Sequence, residues 1–247
     1  MEGPETQFGL NTDMAELYIG NNKISSTGET DVYLTPSYGQ SIDDSFIESS
    51  GILNGLDKLG DLCLAATNIT SIVIPDTVKT LGMGCFMECK QLTSISIPSS
   101  VTTIGEGCFC NNDSLKSLLL PDSVTSIGRQ LCTNDRGLET VTLSNNLSAL
   151  PDYTFNCCYR LKSITIPASI TYIGGHCFST CLALETIYFE GDPPTLDNTA
   201  SNDPYRFGEL KKDATLYYKA NNNKWTEAIK TEYLSKIGSE GAHFETY

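Results

Sequence analysis

A spacing of 23 residues constrains the fold of this chain more than any other feature of its sequence. An apolar residue, leucine in all but the first case, recurs at that spacing: Ile69, Leu92, Leu115, Leu138, Leu161 and Leu184. With this residue numbered as position 1, the clearest copies are 92–114 (LTSISIPSSVTTIGEGCFCNNDS) and 161–183 (LKSITIPASITYIGGHCFSTCLA). One unit of this size cannot bury its own apolar side, so neighbouring units must stack to form a continuous core.

The pattern inside each unit predicts a short strand followed by turns. Positions 4 and 6 are apolar in every copy, and side chains two residues apart share one face of a strand. A proline often follows and ends the strand, because proline cannot donate to a ladder. A second apolar pair, a glycine expected to let the backbone turn tightly, and a phenylalanine complete the unit. In the copy that begins at Leu92, these positions hold Ile95, Ile97, Pro98, Val101, Ile104, Gly105 and Phe109.

A fixed period of about 20–29 residues with one alternating strand per unit is typical of leucine-rich repeats. We therefore predict an α/β-type solenoid, a right-handed array of 23-residue coils with a parallel β-sheet on one face, capped at both ends. Residues 47–190 hold about six coils plus a terminal strand, and the first coil is degenerate and one residue short. The predicted N-terminal cap is 1–46, with alternating stretches at 17–19 and 32–34. The C-terminal cap is 191–247, with a strand at 215–218 and a short helix at 225–237.

The net charge of −14 limits the classes of partner. Binding to nucleic acid requires a basic patch that releases counterions from phosphate, so we expect no nucleic-acid partner. An anionic membrane surface is disfavoured for the same reason. No stretch approaches the roughly 18 apolar residues of a membrane helix, so we expect no membrane insertion.

The ten cysteines allow three interpretations, of which free core thiols are favoured. Cys85 and Cys89 are four residues apart, but neither a C-x-x-C motif nor a histidine partner accompanies them, which argues against zinc. Stacked coils lie about 5 Å apart, so Cys158 and Cys181 could form a disulfide. Cys132 replaces the phenylalanine of its coil. Seven cysteines occupy two coil positions, namely Cys63, Cys85, Cys108 and Cys177 at one and Cys89, Cys158 and Cys181 at the other.

The sequence contains none of the common enzyme signatures. Its two histidines, His176 and His243, are far apart, and His176 is expected to be structural. There is no phosphate-binding glycine loop, no G-x-S-x-G and no H-E-x-x-H. No pair of carboxylates stands out from the general acidity as a glycosidase would require. We predict a protein that is not an enzyme and has no cofactor or metal.

The outward positions of the predicted strands are the candidate contact surface. Positions 3 and 5 are mostly serine and threonine, which can also serve only cross-strand packing. Val73, Leu119 and Tyr188 interrupt this polarity and are our candidates for partner binding.

Position 2 carries alternating charges in four consecutive coils: Lys116, Glu139, Lys162 and Glu185. Neighbouring strands lie about 4.8 Å apart, so these side chains are predicted to pair in series. Stabilisation of the register is the favoured role, and steering of a partner is the alternative.

The signature S-I-x-I-P-x-x-V-x-x-I-G-x-x-x-F-x-x-C, seen at 94–109, 117–127 and 163–181, closely resembles the BspA-like leucine-rich repeats. The resemblance covers about 47 to 189. It implies a bacterial protein that is secreted or attached to the cell surface, with adhesion to host proteins or other cells and no shared catalytic residues. The first seven residues lack the charged and apolar regions of a secretion signal, which predicts a cytoplasmic protein if Met1 is the native start.

These features favour a non-enzymatic module that binds a protein or glycan, acting as a bacterial surface adhesin. One alternative is a structural subunit of a surface or virion complex, and a weaker one is a carbohydrate-active enzyme. The sequence leaves the oligomeric state open.

Overall fold

The structure is a computed structural model. It describes the backbone of the strands Glu16–Ile19, Asn22–Ser25 and Asp31–Val32, together with residues 43–45, 47, 53, 55–197 and 207–247. The first two strands form an antiparallel hairpin, which accounts for the predicted alternation at 17–19. The third contains the start of the predicted stretch at 32–34, whose remainder lies outside the described residues. Most of the predicted N-terminal cap, and the polar run at 198–206, also lie outside them.

The predicted strands stack in parallel along one side of the coils, which we call the front ladder. Their register follows the sequence repeat, since Ile72 pairs with Ile95 and Leu118 with Val141. Backbone pairing divides the ladder into groups of two, two and four strands. In chain order the strands are Ser71–Val73, Ser94–Ser96, Ser117–Leu119, Thr140–Thr142, Ser163–Ile166, Thr186–Phe189, Thr215–Tyr218 and His243–Thr246.

A second ladder of parallel strands forms where the sequence showed only an apolar pair. Thr103–Ile104 pairs with the strands before and after it, and the other members follow the same register. The prediction of a sheet on one face was therefore incomplete. Coils of nearly equal length bring the same position into register on every side, so a two-residue extended segment is enough to pair. The members are Asp31–Val32, Lys58–Leu59, Thr80–Leu81, Thr103–Ile104, Ser126–Ile127, Ala149–Leu150, Tyr172–Ile173 and Thr195–Leu196.

The third side of each coil, positions 16 to 20, forms a turn ladder. Alternate N–H groups of one turn donate to carbonyls of the next, as Phe86 does to Cys108 at 2.9 Å. At the C-terminal end of the turn ladder, the strand Phe178–Cys181 pairs in parallel with the strand Gly208–Leu210. Positions 16 and 20 are left-handed in every coil, with φ between 56° and 63°. These residues are Leu62, Ala66, Gly84, Glu88, Gly107, Asn111, Gln130, Asn134, Tyr153, Cys157, His176 and Thr180.

The repeated glycine at position 14 has a different role from the predicted one. Gly82, Gly105, Gly128 and Gly174 do not have positive φ, so they are not needed to turn the chain. A Cβ on Gly105 would lie 2.5 Å from the carbonyl carbon of Gly82 and 2.5 Å from the nitrogen of Met83. The column is glycine because adjacent coils approach here backbone to backbone.

One continuous core runs through the stack and contains the predicted apolar columns. Its phenylalanines stack between coils, with ring centroids 5.7 Å apart for Phe86 and Phe109 and 5.8 Å apart for Phe155 and Phe178. Cys132, which is fully buried, separates these two stacks. A thiol therefore occupies the place of a phenyl ring in the middle of the array.

The coil pattern that the sequence loses after 189 continues in the structure. Thr195–Leu196 extends the second ladder, and the Phe207 ring lies 5.1 Å from that of Phe178. The predicted strand is present at Thr215–Tyr218, and the predicted helix is present at Glu227–Ser235.

Aromatic side chains close the C-terminal end of the core. Helix Glu227–Ser235 buries Tyr233, whose ring lies 5.3 Å from Trp225 and 5.8 Å from Phe189. Phe244, on the last front strand, lies 5.4 Å from Trp225. These rings cover apolar surface that the last coil would otherwise expose, as the terminal unit of a repeat array requires.

Candidate interaction surface

The front ladder presents the exposed columns that the sequence predicted. In Ser71–Val73 and Ser117–Leu119, the outer residues are exposed and the middle one is buried. Val73 is 76% exposed and Leu119 is 59% exposed, so both apolar side chains extend into solvent. They lie on different hydrogen-bonded groups of the ladder, two coils apart.

Tyr188, the third candidate, belongs to a cluster of three tyrosines. Its ring stacks on that of Tyr217, with centroids 4.9 Å apart and planes within 10°. Tyr247 meets Tyr188 edge to face at 5.8 Å. The repeat pattern gave no sign of either partner. Tyr217 pairs in register with Tyr188 but follows it by 29 residues, because the last coil is longer than the repeat.

The charged residues at position 2 form their ion pairs outside the predicted series, although the charge of Lys162 still acts on Glu185. Glu139 faces Arg160 at 3.9 Å, and Glu185 forms an ion pair with Lys211. A hydrogen bond from Lys211 lowers the pKa of Glu185. Within the described ranges, no carboxylate lies within 4.0 Å of Lys116 or Lys162.

The difference from the predicted pairing arises because these side chains are long and exposed. Each has many rotamers, so its charged end can contact any of several neighbouring groups. A Cβ on Gly137 would lie 3.2 Å from Lys116 Nζ, so this lysine extends over the adjacent turn. All four charged residues remain exposed or half-buried along the edge of the front ladder.

All ten cysteines are free thiols, and nine of them are buried. Burial raises the pKa of Cys132 and Cys177 well above the ordinary value and that of Cys110 to about 12. A thiolate is disfavoured at such positions, so these groups are poor nucleophiles and metal ligands. Across the part of the chain that the structure describes, no three His, Cys, Asp or Glu residues are placed to hold a metal ion.

Position 21 links neighbouring coils through side-chain hydrogen bonds. The thiols of Cys89 and Cys181 donate to Leu64 and Phe155 carbonyls of the preceding coil at 3.0 and 3.1 Å. At the same position in another coil, the Asn112 amide donates to two carbonyls at 2.9 and 2.8 Å. The cysteines of this column thus replace a polar side chain that fastens the stack, which gives them a structural role.

The histidines occupy local structural positions. His176 stacks on Tyr153 with ring centroids 5.0 Å apart, and its Nδ1 lies 3.1 Å from Ser179 Oγ within the same turn. His243 lies 3.4 Å from Glu245 on the last front strand.

The BspA type Leucine rich repeat region family matches residues 41–93 and 80–203, in 6 copies. These ranges include more than half of the 247 residues, and the chain belongs to this family. The predicted resemblance is therefore confirmed. The family fold generally serves as a non-enzymatic scaffold for protein interaction, and its members are typically associated with cell surfaces.

Solved structures of other leucine-rich repeat proteins share the fold. The T. pallidum Leucine Rich Repeat protein has a TM-score of 0.57 at 17% identity, covering 98% of this chain and 100% of that one. A leucine-rich repeat protein from Eubacterium ventriosum has a TM-score of 0.52 at 21% identity, covering 94% of this chain and 51% of that one. Comparison with curated protein sequences finds no match. Together with the stacked ladders, these likenesses confirm the predicted repeat fold.

No helix among the described residues has the length and apolar character needed to cross a membrane.

Proposed function

We propose that this chain is a non-enzymatic binding module of a bacterial cell surface, an adhesin that binds a host protein on its front ladder. The observation that carries the proposal is the exposure of Val73 and Leu119, at 76% and 59%, on a sheet face whose neighbouring outward positions in the same coils are mostly serine and threonine. With the tyrosines farther along the same face, these side chains form an apolar and aromatic surface rimmed by polar residues, and surfaces of that kind mark protein interaction sites.

The size of this face suits a protein partner. Strands lie about 4.8 Å apart, so the five coil steps from Val73 to Tyr188 extend over roughly 24 Å. That length fits an interface of standard size, about 800 Å² on each partner. Tyr188, Tyr217 and Tyr247 supply aromatic area at one end, and tyrosine is enriched among the residues that dominate binding energy.

The charged side chains at position 2 would form a polar rim for this face. Lys116, Glu139, Lys162 and Glu185 alternate in sign and are largely exposed. Rim charges act mainly on the rate of association and on the choice of partner. A secreted or surface location, typical of the family, would bring the face into contact with host proteins.

The proposal is tested by surface plasmon resonance against immobilised fibronectin, laminin and type IV collagen. For a protein that binds, Leu119→Asp and Tyr188→Ala should each weaken the affinity at least about tenfold, because each removes apolar contact area. Leu182→Asp is the matched control, since Leu182 is 53% exposed but lies outside the front ladder. Circular dichroism should be unchanged in all three variants.

Equal affinity of both variants and the unmodified protein would exclude the front ladder as the binding surface. Sedimentation velocity tests the alternative of an assembly subunit. Self-association that Leu119→Asp abolishes would assign the face to a second copy of this chain instead of a host protein.

A further inference from the structure

A polar groove runs along the edge between the turn ladder and the front ladder. In three consecutive coils, position 21 is fully buried as Cys89, Asn112 and Asp135. The flanking positions 20 and 22 line a groove of about 270 Å³ at the surface. Its two walls consist of Glu88, Lys90, Asn111, Asp113, Asn134 and Arg136.

The polar groups of this groove are available to a ligand. Among the residues that the structure describes, none of the six side chains forms a hydrogen bond or an ion pair, although two carboxylates and two cations share the groove. The Arg136 guanidinium lies 5.8 Å from the ring centroid of Tyr159, a cation–π contact that holds it in place. The remaining hydrogen-bonding groups face solvent.

The floor of the groove is rigid. Glu88, Asn111 and Asn134 share the left-handed turn conformation, and the Asn111 N–H donates to the Thr133 carbonyl of the next coil at 3.0 Å. Beneath them, the Asn112 N–H donates to Asp135 Oδ1 at 2.7 Å. A ligand therefore meets walls whose backbone is already ordered, which reduces the entropic cost of binding.

The chemistry of the walls selects a neutral polyhydroxyl compound. Two acidic and two basic side chains cancel in formal charge, so the groove has no net charge with which to attract a polyanion or a polycation. Asparagine amides both donate and accept, which matches hydroxyl groups that do the same. Carboxylates and cations add charge-assisted hydrogen bonds to such hydroxyls.

The spacing of the walls is also appropriate for a sugar chain. Coils repeat about every 4.8 Å, so the three coils place equivalent side chains over about 10 Å. One pyranose ring in an extended β-linked chain advances by nearly the distance of one coil. We propose that this groove is a second binding site, distinct from the front ladder, and that it binds two or three residues of a neutral, β-linked oligosaccharide.

The experiment is a titration of ¹⁵N-labelled protein with cellotriose and with triacetylchitotriose, both neutral and β-linked, monitored by NMR chemical shifts. Saturable shifts should map to the turns around 88–90, 111–113 and 134–136. The double variant Asn111→Gly/Asn134→Gly should weaken binding at least about tenfold, because two hydrogen-bonding side chains are lost while glycine keeps the left-handed backbone. Arg136→Gln should also weaken binding, because it removes a charged hydrogen-bond donor. Arg136 is not at a left-handed position, so this substitution does not change a turn conformation.

Gln130→Gly is the matched control, because it removes another amide at a left-handed position, φ 58°, outside the groove. It should bind as the unmodified protein does. Leu119→Asp should leave sugar binding intact, and the groove variants should leave host-protein binding intact. Failure of one proposal is therefore distinguishable from failure of the other.

Three results would overturn the assignment. The first is the absence of saturable groove shifts with both β-linked trisaccharides. The second is tighter binding of bent, α-linked maltotriose or of an anionic heparin disaccharide than of either β-linked probe. The third is unchanged affinity in both the double glycine variant and Arg136→Gln.

Discussion

At the scale of single residues, Asp135 places a carboxyl group in the core of the stack, where its ionised form is unfavourable. It is fully buried, and one carboxylate oxygen accepts the Asn112 N–H at 2.7 Å. The other oxygen accepts no hydrogen bond of ordinary geometry within the described structure, although the Cys132 thiol lies beside the carboxyl group. Burial raises the pKa of this carboxyl well above its ordinary value. Ionising it in the folded protein is therefore costly, whereas the unfolded chain ionises near an ordinary aspartate pKa of about 3.9.

We expect Asp135→Asn to stabilise the protein at neutral pH. Because the folded pKa is raised, the wild-type free energy of unfolding is largest below the unfolded pKa and falls as pH rises toward the folded pKa. Asparagine abolishes this loss, which amounts to about 1.4 kcal/mol for each unit of pKa difference. Urea unfolding at pH 7 and pH 4 should show a gain that shrinks at the lower pH.

Asp76→Asn is the control for this measurement, because Asp76 is an exposed aspartate two coils before that of Asp135. It should change the stability little at either pH. A gain for Asp135→Asn that is equal at both pH values would contradict the electrostatic explanation.

At the scale of the structural elements, the second ladder depends on the glycine that follows each of its strands. Thr103–Ile104 pairs with Thr80–Leu81, and immediately beyond them Gly105 approaches the backbone of Gly82. The Gly105 N–H donates to the Leu81 carbonyl at 2.8 Å, so the two coils are joined at this point. There is no space for a side chain between them.

Gly105→Ala should destabilise the protein by about 3 kcal/mol, at the upper end of overpacking costs. The added Cβ would lie 2.5 Å from backbone atoms, which cannot move without separating two coils. Gly55→Ala is an informative comparison, because Gly55 has φ +80° but nothing within 4 Å of the added carbon. It should cost only the left-handed strain, about 1 kcal/mol. Thermal or urea unfolding of both variants gives the comparison, and equal losses would refute the close-approach role.

At the scale of the whole molecule, the packing of the thiols predicts stability that does not depend on redox state or metal. Dithiothreitol and EDTA should leave the melting temperature unchanged, because the ten thiols are free in the structure. A thiol reagent should modify half-exposed Cys157 in the native protein and all ten cysteines after unfolding.

Cys157→Ser should remove the native-state labelling and leave the nine buried thiols protected. A marked fall in melting temperature with dithiothreitol would instead indicate a stabilising disulfide and an oxidising compartment. A comparable fall with EDTA would indicate a bound metal.

The repeat alone was enough to predict the solenoid, its buried columns and the exposure of Val73 and Leu119. The reason is that a residue at a fixed coil position meets equivalent neighbours in every copy. The positions that are apolar in every copy are therefore the positions that are buried. The strand at Thr215–Tyr218 and the helix at Glu227–Ser235 were also predictable, from local alternation and amphipathic spacing.

Other features were decided only when the coils were packed against one another. The role of Gly105 depends on the 2.5 Å separation between its added Cβ and the next backbone, which a sequence does not contain. The partner of Glu139 was set by side-chain rotamers at the surface, and Tyr217 joined Tyr188 across a coil of irregular length. The polar groove likewise requires positions 20 and 22 of three coils to lie side by side. Periodicity thus determined which side chains face inward, whereas distances between coils determined which of the outward ones meet.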